Sequence, residues 1–227
     1  MSETLREEQA SRYRAVAARV PGNVTVVAVS KTQPCAAIEA VYGLGHRDFG
    51  ENYVQELVSK AVELRARGCE GIRWHFIGAL QRNKVKTLVP YLSVLHTLDS
   101  ERLADEVSAR WKAARPGERL PVFIQVNIDR QGSKAGVLPE DVPKLANHVS
   151  GLPLLDLQGL MCIPDPAKKP EAGDPGPYTR LYGLCRGLGS LTAGKLSMGM
   201  THDYVEAIRA GATHVRIGTA LFGVRAP

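Results

Sequence analysis

The stretch SMGMTHDYVEAIRAGATHVRIGTALFG, residues 197–223, places two turns rich in small residues, Ser197 to Thr201 and Gly218 to Ala220, around a short helical segment and an apolar strand that bears an arginine. Ser197 can offer a hydroxyl, and Gly199 and Gly218 let backbone N–H groups approach an anion with no Cβ in the way. Thr219 adds a second hydroxyl where a last helix starts and unpaired N–H groups favour negative charge. This combination suits a phosphate, although the same residues are compatible with plain turns and with Thr201 as a helix cap.

Within THVRIG, alternation puts His214, Arg216 and Gly218 on one face and Val215 and Ile217 on the other. Both faces of such a strand are normally covered, so the guanidinium of Arg216 needs a partner: a core carboxylate or a bound ligand. At the far end of the chain VTVVAVSK leaves Lys31 where a first strand finishes. A lysine there is either solvated or tucked beside apolar neighbours and Arg216. In the second case desolvation and like charge favour the neutral amine, which can attack an aldehyde. FGENYVQE and WHFIGALQRNK bring Asn52, His75 and Gln81 to the ends of two further strands. Glu51 and Asn52 also suit a helix cap. His75, between Trp74 and Phe76, suits a core histidine better than a metal ligand, because no second histidine or carboxylate stands at ligand spacing.

The elements that must position these residues alternate along the chain. Apolar or β-rich segments fall at 24–30, 47–51, 72–78, 91–98, 121–128, 155–163, 195–198 and 213–218, the second and seventh with little support from propensity. Helical patterns lie between them. One carries Val54, Leu57, Val58, Ala61 and Leu64 on a single face, and another is capped by Ser100 with Leu103, Val107, Trp111 and Ala114 inward. A further amphipathic helix precedes the first strand, with Tyr13, Val16, Ala17 and Val20 on one side. Eight strand–helix units in 227 residues predict one domain over 1–227, a closed (β/α)8 TIM-type barrel of parallel strands with an extra N-terminal helix. In that fold ligands bind at the C-terminal strand ends, and phosphates at the loops after strands seven and eight. Both turns described above fall there. Residues 164–178, rich in proline, glycine and charge, read as one long connection.

Composition narrows the function. With 44% hydrophobic and 23% charged residues the chain has the make-up of a soluble globular protein, and no apolar run reaches the roughly 18 residues of a membrane span. The charged N-terminus does not resemble a secretory signal, so a cytoplasmic protein is expected. Cys35, Cys69, Cys162 and Cys185 stand far apart, which argues against a zinc site or a disulfide framework. A net charge of +6 comes from scattered basic residues, apart from a modest cluster at Arg82, Lys84 and Lys86; it suits attraction of an anionic small molecule better than nucleic-acid binding. No Walker or complete dinucleotide-binding glycine pattern occurs.

Through AVSKTQP, RDFGENYVQE, WHFIGALQRNK, LHTLDS, QVNIDRQGSKAGV, GLMCIP, SMGM and VRIGTALFG, which together run over nearly the whole chain, the sequence resembles the pyridoxal 5′-phosphate homeostasis protein family, with its alanine racemase-like barrel (PLP fold type III). The resemblance implies that pyridoxal 5′-phosphate (PLP) is the cofactor. It further implies that Lys31 holds PLP as an internal aldimine, that Ser197, Gly218 and Thr219 surround its phosphate, and that Arg216 faces the pyridine nitrogen. Asn52 is implied near the cofactor, as is His75. The family pattern after SMGM often has a small or acidic residue where this chain has His202, and 164–178 carries no motif that transfers.

A cationic arginine at the pyridine nitrogen opposes its protonation and leaves the ring a weak electron sink. Related racemases draw a second acid/base group from an extra C-terminal domain and a partner subunit, whereas only VRAP follows Gly223 here. The expected function is therefore binding, buffering or delivery of PLP in vitamin B6 and amino-acid balance, without catalytic turnover. Apoenzymes that use PLP are the expected recipients, and a monomer is the expected state. The alternatives are a PLP-dependent racemase or decarboxylase, a Schiff-base aldolase whose phosphate site holds its substrate, and a nucleic-acid binding module.

Overall fold

The computed structural model describes residues 3–132, 134–167 and 173–223. The strands β1 (Thr25–Val29), β2 (Asp48–Glu51), β3 (Arg73–Phe76), β4 (Val94–Leu98), β5 (Leu120–Val126), β6 (Leu155–Cys162), β7 (Lys195–Met200) and β8 (His214–Ile217) pair in sequence order, all parallel, and β8 closes back onto β1. The helices are α1 (Glu3–Ala17), α2 (Cys35–Gly43), α3 (Val54–Ala66), α4 (Val85–Leu88), α5 (Glu101–Ala114), α6 (Val142–Ser150), α7 (Gly176–Gly187), α8 (Tyr204–Arg209) and α9 (Thr219–Phe222). The expected (β/α)8 barrel with an added N-terminal helix is the fold. β2 and β7, weak by propensity, form because each is hydrogen-bonded on both sides by neighbouring strands.

Helical periodicity accounts for the outer layer. Val54, Leu57, Ala61 and Leu64 of α3 are buried, as are Leu103, Val107 and Trp111 of α5. The Ser100 cap accepts a hydrogen bond from the backbone N–H of Leu103 at 3.3 Å. Val215 and Ile217 of β8 are fully buried, while His214 points into the barrel to meet the rings of His75, His96 and Phe123. Three imidazoles and one phenyl ring thus cluster in an interior where aliphatic side chains usually dominate.

Three boundaries differ from those expected of the sequence. α1 ends at Ala17, which is exposed, so Val20 lies past the helix; Val16 is buried, with Gln9 donating to the Ala37 carbonyl at 3.0 Å. Polar Gln9 escapes a purely apolar pattern because its partner is a backbone oxygen of α2. Ala114, at the last turn of α5, is exposed. The connection 164–178 ends early, since α7 starts at Gly176 with Pro177 in its first turn, where a missing N–H costs nothing; 168–172 lie outside the described residues. Among the described residues no helix is long and apolar enough to cross a membrane.

Candidate functional site

A cavity of about 330 Å³ opens at the C-terminal rim of the barrel, within the size range of small-molecule sites. Lys31, Asn52, Arg216, Gly218 and Thr219 line it, so five of the six predicted binding residues, scattered over the whole chain, come together. Val29, Ile77, Ile163 and Met200 supply apolar wall, and Thr201 and His202 complete the rim. A larger groove of about 430 Å³ between α1 and α2 contains, among the described residues, no buried polar side-chain atom lacking a partner.

Lys31 follows β1 and is half-buried. Its neighbours are tied down on both sides. Ser30 Oγ donates to Glu51 Oε1 at 2.6 Å, and the Thr32 N–H, in a left-handed backbone conformation with φ 62°, donates to Glu56 Oε1 at 2.5 Å. Lys60 on α3 joins the two carboxylates: its Nζ lies 2.8 Å from Glu51 Oε1, 2.7 Å from Glu56 Oε1 and 2.6 Å from the Ser30 carbonyl. Burial pushes the Glu51 carboxyl up, against the pull of the Lys60 charge and the Ser30 hydroxyl. Sequence reasoning missed Lys60 and Glu56. The signal was there, since Lys60 falls on the same helical face as Leu57, Ala61 and Leu64, four residues after Glu56.

Arg216 has a different environment. It is 3% exposed, and its Nη1 donates to Ser197 Oγ at 2.8 Å and its Nη2 to the Cys162 carbonyl at 2.7 Å. Both acceptors are neutral, and among the described residues no carboxylate pairs with it directly. Burial accordingly pulls the guanidinium down from its usual range. Of the two partners considered from sequence, the core carboxylate is absent from direct contact. Asn52 adds a second open valence: its Oδ1 is buried without a hydrogen-bond partner, on the wall of the same cavity. Gly78 permits this placement, because a Cβ there would stand 2.0 Å from the backbone oxygen of Asn52.

Two phosphate-loop assignments need correction. Ser197 does not line the cavity; it is fully buried deeper in the barrel, level with His214 in the pairing of β7 and β8, while Met200 is level with Arg216. A hydroxyl at the rim comes instead from Thr201. The register decides this, since it places Ser197 below the layer of Arg216. Gly199 also lies outside the lining. Its φ is 88°, and a Cβ at this position would stand 2.5 Å from Ala207 Cβ, so it serves the close packing of α8. The turn itself is held by Asp203, whose Oδ1 accepts from the Met200 N–H at 2.6 Å and whose Oδ2 accepts from Tyr178 at 2.7 Å. Gln81 is exposed and does not line the cavity, and His75 lies inside the barrel, bonded to Asp48 and His96. Among the described residues no group of three or more His, Cys, Asp or Glu is placed to hold a metal ion, and all four cysteines are buried free thiols.

The profile of the family "Alanine racemase, N-terminal domain" matches residues 7–226. A pyridoxal phosphate homeostasis protein of Pseudomonas aeruginosa is 44% identical over 209 residues, 92% of this chain and 88% of the relative. The chain belongs to the pyridoxal phosphate homeostasis protein family. A human protein of the same name is 39% identical over 236 residues, covering 99% of this chain and 84% of its own. Among solved structures, PipY of Synechococcus elongatus with PLP bound superposes with a TM-score of 0.82 at 32% identity, over 95% of this chain and 100% of that one. An alanine racemase of Clostridium difficile shares the fold alone, with a TM-score of 0.77 at 12% identity over 97% of this chain and 58% of its own. Family membership and the barrel thus agree with the resemblance carried by the motifs.

Proposed function

We propose that this protein, as a single barrel domain, binds pyridoxal 5′-phosphate in the rim cavity and serves vitamin B6 homeostasis by buffering or delivering it. One observation carries this reading: a buried guanidinium, with no carboxylate against it among the described residues, and a half-buried lysine open onto one cavity of about 330 Å³. The unpartnered Oδ1 of Asn52 fits a polar ligand in the same place. Relatives carrying the homeostasis name and the PLP-bound state of PipY support the choice of ligand.

When bound, PLP supplies an aldehyde for a lysine amine and a ring able to take up electrons. In our reading Lys31 provides that amine and forms a Schiff base with loss of water. Gly218, Thr219 and Thr201 receive the phosphate, with Ser197 supporting Arg216 from behind. Arg216 faces the ring nitrogen, keeps a proton off it by like charge, and so disfavours carbanion chemistry. That fits a carrier with no turnover of its own, as do relatives named for homeostasis. Its setting in this reading is the cytoplasm, its state a monomer, and its recipients apoenzymes that use PLP.

The test is an absorbance spectrum after addition of PLP and removal of the excess, before and after borohydride reduction, with the labelled peptide mapped. A visible band trapped on Lys31, and lost in Lys31→Ala, is expected. Absence of the band, or a label on another lysine, would leave the cavity to a phosphorylated substrate.

A further inference from the structure

Among the described residues Arg216 has no carboxylate beside it, yet a continuous line of hydrogen bonds runs from it through the barrel to one at the opposite end. Arg216 Nη1 donates to Ser197 Oγ at 2.8 Å, Ser197 Oγ lies 2.8 Å from His96 Nδ1, His96 Nε2 lies 2.9 Å from His75 Nδ1, and His75 Nε2 lies 3.0 Å from Asp48 Oδ1. Five strands contribute one residue each, β8, β7, β4, β3 and β2. The middle of the line is shielded from bulk solvent: Ser197 and His96 are fully buried and His75 is 2% exposed. Asp48, by contrast, lines a separate cavity of about 240 Å³ beside α1 and also receives the exposed side chain of Arg73. The line therefore joins two faces of the molecule.

Its ends fix its direction. Guanidinium can only donate and an ionised carboxylate can only accept, while serine and a neutral imidazole each offer a donor and an acceptor. With Ser197 Oγ accepting from Arg216, its O–H points to His96 Nδ1. His96 then donates from Nε2 to His75 Nδ1, and His75 donates from Nε2 to Asp48. Every donor has an acceptor, and no further charge enters the interior. The competing arrangement, a doubly protonated His75 donating both ways, adds a second buried cation and makes Ser197 accept from both sides, with its own O–H unpartnered. His96 stacks on Phe123 with ring centroids 4.7 Å apart, which holds the ring in the orientation the line needs. Burial, with the charge of Arg216 beyond Ser197, holds its imidazole well below the usual range and hence neutral.

We propose that Asp48 is the remote counter-charge of Arg216, and that His75, His96 and Ser197 are positioning residues that align and polarise the guanidinium at the floor of the cavity. The line does not conduct protons to the cavity, because a guanidinium does not release one. What reaches the site is orientation and a polarised hydrogen bond. Two of the five N–H donors of Arg216 are held by Ser197 and the Cys162 carbonyl, so its plane is set before any ligand arrives. This inference concerns the protein's own residues. Only its effect on bound PLP rests on the proposed function.

The decisive measurement is long-range ¹H–¹⁵N NMR of the full chain labelled at histidine, without cofactor, with each ring assigned by single substitutions. The expected result is an unprotonated Nδ1 and a protonated Nε2 on both His75 and His96. Ser197→Ala is expected to leave His96 in the Nε2–H form, because His75 Nδ1 still accepts from it, and to shift the His96 Nδ1 resonance as the hydrogen bond from the hydroxyl is lost. A doubly protonated His75, or an Nδ1–H form of His96 in the wild type, overturns the proposal whether or not PLP binds. In PLP-loaded protein, Asp48→Asn keeps an acceptor for His75 but removes the charge. The pH at which the visible absorbance changes is then expected to fall, as the interior becomes more positive. A transition unmoved in a variant that still binds PLP would overturn the counter-charge role.

Discussion

Two buried cations serve the region of the cavity, Lys60 bonded to the residue before Lys31 and Arg216 on the cavity wall, and they are treated differently. Lys60, behind Lys31, has two carboxylates within 2.8 Å and a carbonyl besides. Arg216, at the floor, has a serine hydroxyl and a backbone carbonyl, with the carboxylate of Asp48 on the far side of two imidazoles. Lys60 is satisfied within the protein and works as a clamp on the segment that presents Lys31. Arg216 keeps hydrogen-bonding capacity directed at a cavity. The difference teaches that burial of a charge does not by itself mark a site; the location of its counter-charge does.

Removing each cation should separate the two roles. Lys60→Met leaves Glu51 buried and unpaired, and is expected to cost about 3–5 kcal/mol in urea unfolding of the cofactor-free protein. Arg216→Met should cost clearly less in the same assay, because no adjacent carboxylate is stranded, and should weaken PLP binding at least about tenfold by spectral titration. Equal destabilisation by the two would break the contrast.

Acid unfolding tests the Arg216 side further. Burial alone would raise the Asp48 carboxyl, but hydrogen bonds from His75 and Arg73, with the charge of Arg73, hold it well below the ordinary carboxylate range. A depressed carboxyl stabilises the fold above its unfolded-state pKa of about 3.9, and that stability is lost as pH falls toward the folded-state value. Wild type should therefore lose stability below about pH 4 more steeply than Asp48→Asn, as followed by circular dichroism across a pH series.

The smallest effects are expected at two glycines. Gly199→Ala forces a Cβ to 2.5 Å from Ala207 at a positive φ and should lower stability by about 1–3 kcal/mol. A Cβ at Gly218 meets nothing closer than the Val29 oxygen at 3.4 Å, so Gly218→Ala should fold within about 0.5 kcal/mol of wild type while weakening PLP binding. Thermal unfolding and spectral titration on both variants read the two effects apart.

The chain's periodicities predict six of the eight strands, the buried face of α3, most of that of α5 and the Ser100 cap, because these depend on neighbours within a few residues, whereas β2 and β7 owe their form to the strands beside them. Chemical type and rim position single out Lys31, Asn52, Arg216, Gly218 and Thr219. Other features depend on contacts remote in the chain. Strand register puts Ser197 below the rim and leaves Thr201 there. His96 and Asp48, far apart along the chain, meet through His75 only when β2, β3 and β4 lie side by side. The sequence by itself determined which residues could carry charge or donate a proton and on which elements they stand. Only the tertiary structure decided which charge found its counter-ion beside it and which found it across the barrel, because closure of the sheet sets those distances.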